Sequence, residues 1–323
     1  MELNSAPFTA ALVFFAVFAV SLPVARAHEF NECAKIDNTA ERLKCYDELQ
    51  QQPAAPPESI VEERFSRELE SSFDQFVITP HKPNYILPIT YNEKLDSSNY
   101  GAPLLSGDDE YQKVEFKFQL SLKVPLAKQF ISRNGNLWFA YSQLSFWQLY
   151  NTDLSSPFRE TVYEPELLWV LHTDNKLFGL RNSLITVSLN HQSNGQPEPM
   201  SHSWNRIIAG FIFEKDRYIF SLRPWYRIPD RSDDDDNPDI EKYMGYGEVA
   251  VLFKYENHQT TVMLRNNLDF DDNYNTIELT YTFPINDRLK GIAQYFNGYG
   301  ESLIDYNHKV HRIGVGILLT DWL

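Results

Sequence analysis

The sequence predicts an all-β fold: a twelve-stranded antiparallel transmembrane β-barrel with a short N-terminal helical extension closed by a disulfide. Two observations predict it. From residue 117 to 320 the chain is a succession of runs, each about ten residues long, in which apolar and polar side chains alternate and turn-forming residues intervene. Beyond the N-terminus no run is apolar enough for long enough to cross a bilayer as a helix. A barrel that is half lumen and half lipid face also accounts for a mean hydropathy of −0.41 beside 43% hydrophobic residues. The net charge of −15 gives no support to nucleic-acid binding.

Residues 1–27 read as a secretory signal. Ala10 to Pro23 carries the apolar run and Ala25-Arg26-Ala27 the cleavage site, although the preceding segment has an acidic Glu2 and no basic residue. Residues 28–52 form a small unit with both cysteines of the chain, Cys33 and Cys45, expected to pair in an oxidising periplasm. The residues between them read as helix, with Asp37 or Asn38 as its start signal. The stretch 51–60, QQPAAPPESI, is rich in Pro and Gln and opens a linker assigned to residues 53–73, and the barrel occupies 74–323.

Strand-like runs follow at 117–124, 137–150, 162–173, 183–193, 203–214, 217–228, 246–255, 259–268, 274–284, 288–297 and 309–320. A closed barrel of this class carries an even number of strands, which makes twelve the expected count. Trp138, Trp147, Trp204, Trp225, Tyr226, Tyr295, Phe296 and Trp322 lie near run ends, as interfacial aromatic girdles do. The acidic run Asp233–Asp236 with Asp239 reads as a solvated loop, and Pro80-His81-Lys82-Pro83 as a turn. His172, His202, His258, His308 and His311 show no metal-ligand spacing.

One pair of runs carries candidate chemistry. Ile185, Val187 and Leu189 form an apolar stripe whose continuation is His191 and Ser193. On the following run Asn205 extends the stripe of Ile207, Ala209 and Phe211. A hairpin would bring these three polar residues to one end of the lipid-facing side. A serine becomes a nucleophile when a base removes its proton and a third group orients the base. His191 lies two residues from Ser193, roughly 6.6 Å along a strand, a span an imidazole largely covers. Asn205 can fix the tautomer of His191, and a neutral orienter avoids an ionised carboxylate in lipid. Backbone N–H groups of Asn194-Gly195-Gln196 are candidate oxyanion donors, Gly195 permitting close approach.

The run HQSNGQPEPMSHSWNR (191–206) resembles the active-site hairpin of the outer membrane phospholipase A family. SSPFRETVYEPEL (155–167), RPWYRIP (223–229), DDNPDIEKYMGY (235–246) and GYGESLIDYN (298–307) resemble other segments of that family. The resemblance implies twelve strands and calcium-dependent hydrolysis of glycerophospholipid acyl esters, of phospholipase A1, phospholipase A2 and lysophospholipase type. It implies an outer-membrane enzyme that is active as a homodimer and quiet while the membrane is intact. It assigns His191 as proton acceptor, Ser193 as nucleophile and Asn205 as the residue that orients His191. It places calcium at Ser155, Gln196 and Ser201, with ligands from both members of the dimer. Gln196 stands where the family more often has Arg; the ligand there is a backbone carbonyl, so the site need not be lost. Gln143 matches a position that hydrogen-bonds across the dimer interface. The alternatives are a lipid A deacylase barrel, which can also carry an H-x-S-N run, and a porin-like barrel without enzymatic activity. Chain length, Asn205 in place of a carboxylate, and the extended similarity at 155–167 and 223–246 weigh against the deacylase.

Overall fold

A computed structural model describes residues 35–51, 59–72, 74, 77–95, 111–231, 235–286 and 289–321. The chain divides into two compact units, Met1–Pro53 and Ala54–Leu323. In the first, helix α1 (Thr39–Gln51) is capped by Asn38, whose Oδ1 accepts from the N–H of Ala40 at 3.0 Å. Cys45 lies on α1; Cys33, the expected disulfide partner, is outside the described residues, as are the signal region and Trp322.

The second unit is a closed barrel. Its twelve long strands are β1 (Asn84–Asn92), β2 (Val114–Ala127), β3 (Gly135–Trp147), β4 (Phe158–Leu177), β5 (Leu180–Ser193), β6 (Ser203–Lys215), β7 (Tyr218–Ile228), β8 (Gly247–Tyr255), β9 (His258–Asn266), β10 (Asn275–Pro284), β11 (Lys290–Gly298) and β12 (Val310–Thr320). Each pairs antiparallel with the next, and β12 closes on β1. The two-residue strand Thr79–Pro80 adds a short pairing to β2. Closure leaves no long edge unpaired, which lipid requires.

The alternation in the sequence becomes two faces. On β5, Val187 and Leu189 are 38% and 52% exposed, while Ser188 and Asn190 between and beside them are buried. On β12, Ile313, Val315 and Leu319 face out and Arg312 and Leu318 face in. The parity corrects the aromatic girdle. Trp138, Trp204, Trp225 and Phe296 are buried in the barrel, because they fall on lumen positions. Tyr226 faces outward. Trp204 and Trp225 instead flank Arg206, whose guanidinium lies 4.0 Å and 5.3 Å from their ring centroids.

Two elements go beyond what the sequence predicts. Strand β1 is interrupted at Pro88, which has no N–H to give, and its register with β2 shifts between Leu87 and Thr90. Its other neighbour, β12, shifts register across Gly316, where a Cβ would meet the carbonyl oxygen of Ile86 at 2.0 Å. The stretch expected to be linker, 53–73, contains helix α2 (Ile60–Ser72). Ser59 caps it, accepting from the N–H of Glu62 at 2.8 Å. Helix α2 lies within the barrel. Val61 and Phe65 pack in one cluster with Trp138, Leu168, Val170, Leu184, Ile212, Ile219 and Leu252. Glu68 pairs with Lys123 at 2.5 Å, and Glu214 accepts from Ser59 and Ser183.

The rest of the lumen is a network of paired charges. Arg159 bridges Glu115 at 2.5 Å and Asp305 at 2.7 Å. Arg312 contacts Glu115 and Glu301, each at 2.8 Å, and Lys117 reaches Glu301 at 2.9 Å. Glu301 to Tyr306 belong to the β11–β12 loop, yet all six are buried. Burial alone would raise the Glu301 carboxyl, but Arg312 and Lys117 hold it down at about 2. His81 and Lys82 are more than a turn, because Lys82 meets Glu164 at 2.7 Å and His81 lies 3.6 Å from Glu166. A cavity of about 460 Å³ remains in the lumen, lined in part by Lys82, Glu164, Arg206 and Glu248. Neither His191 nor Ser193 lines it.

Candidate active site

The β5–β6 hairpin aligns the candidate residues. His191 and Asn205 are direct cross-strand partners, and Ser193 opposes Ser203 on β6 and Tyr163 on β4. His191 and Ser193 continue the outward face of Val187 and Leu189, and Asn205 continues that of Ile207, which is 41% exposed. The register settles the parity on which the sequence argument depended, since a slip of one residue would have turned all three into the lumen.

His191 Nδ1 lies 2.9 Å from Asn205 Oδ1. An amide oxygen only accepts, so this contact places the proton of the neutral ring on Nδ1 and leaves Nε2 with its lone pair. Asn205 Nδ2 is 3.5 Å from Asp230 Oδ1. Among the described residues the Ser193 hydroxyl has no hydrogen-bond partner, His191 included. A catalytic contact that is open without substrate is ordinary for a nucleophile and its base.

The loop beyond Ser193 is organised by Asn194, which is buried. Its Oδ1 accepts from the N–H of His202 at 3.0 Å and of Gln196 at 3.3 Å, and its Nδ2 donates to the carbonyl of Met200 at 2.8 Å. Its own N–H donates to the carbonyl of His202 at 3.0 Å. Of the three candidate oxyanion donors, Asn194 and Gln196 are therefore engaged. Gly195 is left with a free N–H among the described residues. Its φ of +64° suits glycine, and a Cβ there would come within 3.2 Å of the Tyr163 ring.

Gln196 and Ser201 lie in the same loop, and Ser155 in the β3–β4 loop at the same end of the barrel. Ser155 is exposed and adopts φ +57°. Ser201 Oγ donates to Asp236 Oδ2 at 2.6 Å. Among the described residues no contact joins Ser155 to Gln196 or Ser201, and no cluster of three or more His, Cys, Asp or Glu side chains could hold a metal. The donors present are hydroxyl, carbonyl and carboxylate oxygens, a chemistry that fits calcium and disfavours softer metals.

Gln143 was open between lumen and lipid on sequence grounds. It shares the outward side of β3 with Phe139 and Tyr141, opposite Leu120 and Tyr163. Tyr141 donates to its Oε1 at 3.3 Å, and its Nε2 donates to Ser145 Oγ at 3.1 Å. Asp233 and Asp234 of the acidic run lie outside the described residues; the rest of the run, expected to be solvated, is tied to neighbouring segments by side-chain contacts. Asp235 pairs with Arg227 at 2.6 Å, Asp236 accepts from Ser201, and Asn237 Oδ1 accepts from the N–H of Ser203 at 3.0 Å. Asp239 accepts from Tyr306 at 2.5 Å. All but the Asp235–Arg227 pair join segments more than 30 residues apart, and the one local signal for them is the Asx turn at Asp235-Asp236-Asn237.

The chain is similar to known proteins along most of its length. The phospholipase A1 family model matches residues 61–319. A phospholipase A1 of Escherichia coli is 35% identical over 253 residues, covering 78% of this chain and 85% of that protein. A putative phospholipase A1 of Neisseria meningitidis is 40% identical over 255 residues, 76% of this chain; the chain spans 65% of that protein's length. Among solved structures, the outer membrane phospholipase A of Escherichia coli superposes with a TM-score of 0.70 at 36% identity, covering 77% of this chain and all of that one. A Salmonella typhi outer membrane phospholipase dimer with bound calcium gives 0.71 at 35% identity, covering 77% of this chain and 94% of that one. The family model over residues 61–319, with relatives at 35–40% identity and a solved structure of matching barrel fold, places the chain in the phospholipase A1 family.

Proposed function

We propose that this protein hydrolyses acyl ester bonds of glycerophospholipids at the outer membrane, with Ser193 as nucleophile. The observation that carries the reading is the 2.9 Å contact between His191 and Asn205 beside Ser193, on the lipid side of the barrel. An ester bond of a bilayer lipid reaches that side, whereas a solute in the lumen does not.

Ser193 Oγ attacks the ester carbonyl carbon while His191 Nε2 takes its proton. The carbonyl oxygen gains the negative charge, and the Gly195 N–H is its donor. The carbon–oxygen bond to the lysolipid then breaks, and His191 returns the proton to the leaving oxygen. Water, deprotonated by the same imidazole, releases the fatty acid and restores Ser193. Asn205 keeps the ring in the Nδ1–H tautomer throughout. Calcium, when bound, supplies positive charge near the developing oxyanion. Ser155, Ser201 and the backbone carbonyl of Gln196 are the groups that would hold it. No contact joins Ser155 to the other two among the described residues, which is compatible with a site completed across a homodimer, with Gln143 on the outward face as a contact between protomers. The helical unit containing Cys45 is assigned to the periplasm. Both phospholipase A1 and A2 specificity and lysophospholipase activity are included in the reading.

The test is phospholipid hydrolysis by the purified protein in detergent micelles, with calcium and with a chelator, beside Ser193→Ala. Calcium-dependent release of fatty acid and lysophospholipid, lost in the variant, is expected. Ser155→Ala and Ser201→Ala should each raise the calcium concentration needed for half activity; an unchanged calcium curve in both removes them from the site. No turnover of phospholipid alongside deacylation of lipopolysaccharide would make the protein a lipid A deacylase. Conductance with no ester turnover would make it a porin-like barrel.

A further inference from the structure

Asn205 has two partners, and the second one decides how it meets the first. Its Oδ1 is 2.9 Å from His191 Nδ1, and its Nδ2 is 3.5 Å from Asp230 Oδ1. Asp230 lies two residues beyond Ile228, the register partner of Asn205 on β7. It therefore continues the same side of the hairpin just past the end of the strand.

A primary amide is nearly symmetric in shape, so packing alone scarcely distinguishes its two orientations. Chemistry does. An ionised carboxylate has only acceptors to offer. Turned the other way, Asn205 would set its oxygen against Asp230 and its NH₂ against His191. The ring would then have to accept at Nδ1 and carry its proton on Nε2, the atom that must be free to deprotonate Ser193. Asp230 is itself held from the far side, since Arg227 Nη2 lies 3.8 Å from its Oδ2. Its side chain is 27% exposed, so the charge remains partly hydrated while the neutral Asn205 occupies the lipid-facing strand.

We propose that Asp230 is a positioning residue for the reaction: it fixes the amide orientation of Asn205 and, through it, the tautomer of His191. The inference rests on the assignment of Ser193, His191 and Asn205 above. The arrangement is a carboxylate one step behind a neutral orienter, split between β6 and the loop after β7.

The experiment is a double-mutant cycle on micellar phospholipid hydrolysis in saturating calcium, with kcat and KM measured for wild type, Ser193→Ala, Asp230→Ala, Asp230→Asn, Asn205→Ala and the Asp230→Ala/Asn205→Ala pair. Asp230→Ala is expected to lower kcat about fivefold with KM unchanged. Asp230→Asn, whose amide can turn either its oxygen or its NH₂ towards Asn205, no longer selects the orientation and is expected to fall by about the same factor as the alanine variant. In the Asn205→Ala background, Asp230→Ala is expected to cost nothing further. An equal loss in both backgrounds would mean that Asp230 acts through the fold of its loop, and it overturns the proposal. So does an Asp230→Ala protein with wild-type kcat, or an Asp230→Asn protein with wild-type kcat. A wild type without ester turnover, or a Ser193→Ala protein with turnover intact, overturns the Ser193 assignment itself, and this inference with it.

Discussion

The two faces of strand β5 obey opposite rules. Inward, Asn190 donates to Glu164 and Glu166 at 2.8 and 2.9 Å and accepts from Arg206 at 2.8 Å. Its neighbour Gln192 accepts from Trp204 Nε1 at 2.7 Å. Outward, one residue along, His191 has the single partner Asn205, and Ser193 has none among the described residues. A saturated polar group is rigid and inert, because every lone pair and proton is committed. A polar group with unspent valence on an apolar face is available for chemistry. On the proposed function, the lumen of this barrel serves stability and its outer rim serves reaction, with the two kinds of residue alternating along the same strand.

That contrast is broken most sharply by Ser193→Ala set beside Gln192→Ala. The first should lower kcat by about 10⁴-fold or more and leave the thermal midpoint in detergent unchanged. The second should lower the midpoint and keep activity per folded molecule, because it leaves the buried Trp204 Nε1–H without its acceptor and takes one of several partners from Arg206. Comparable activity losses in the two would erase the division between the faces. Asn205→Ala comes next, with a fall of about 10²- to 10⁴-fold in kcat, smaller than that of Ser193→Ala because the nucleophile and base remain. Equal, total loss in both variants would give Asn205 a larger role than orienting the ring.

On the lumen side, Arg159→Ala should be the costly substitution. It removes the partner of Glu115 and Asp305 where Arg159 and Glu115 are both fully buried, and breaking such a pair costs roughly 3–5 kcal/mol. Urea unfolding in detergent should report the loss, while kcat of the remaining folded fraction stays near wild type. A stability change below about 1 kcal/mol would mean that water enters the network and replaces the guanidinium.

How much of this was legible in the sequence follows from the same contrast. The outward face is legible because lipid imposes one chemistry on it. His191, Ser193 and Asn205 stand out as interruptions of apolar stripes, and their parity matches the register observed. The lumen is not legible, because its pairs are set by closure of the barrel. Glu115 and Arg312 are partners across the β1–β12 seam, and Asp230 and Asn205 meet across 25 residues of chain. Helix α2 was hidden by its polar composition: its apolar residues Val61 and Phe65 suffice only because the barrel surrounds them, and Ser59-x-x-Glu62 was its one local signal. Strand β1 was hidden by Pro88, which interrupts the alternation where the register shifts. The aromatic residues misled for a related reason, since proximity to a run's end says nothing about which face a tryptophan takes.

The smallest effect expected is also the most specific to the lumen. The Glu301 carboxyl is held at about 2 by Arg312 and Lys117 against the opposing effect of burial. Its folded value lies below its ordinary value of 4.5, so the stability it contributes is fully present above that pH and is lost as pH falls towards 2. Glu301→Gln keeps the shape and removes the titration. Wild type should exceed the variant by about 3 kcal/mol at pH 7, measured by urea unfolding in detergent, and the gap should narrow steadily below pH 4. Other carboxylates titrate over the same range, but they do so in both proteins and cancel in the difference. A gap that stays constant down to pH 3 would mean that Glu301 contributes through packing in the loop and not through charge. Because Glu301 points into the lumen and Ser193 out of it, the two proteins should hydrolyse phospholipid at the same rate at pH 7 even where their stabilities differ.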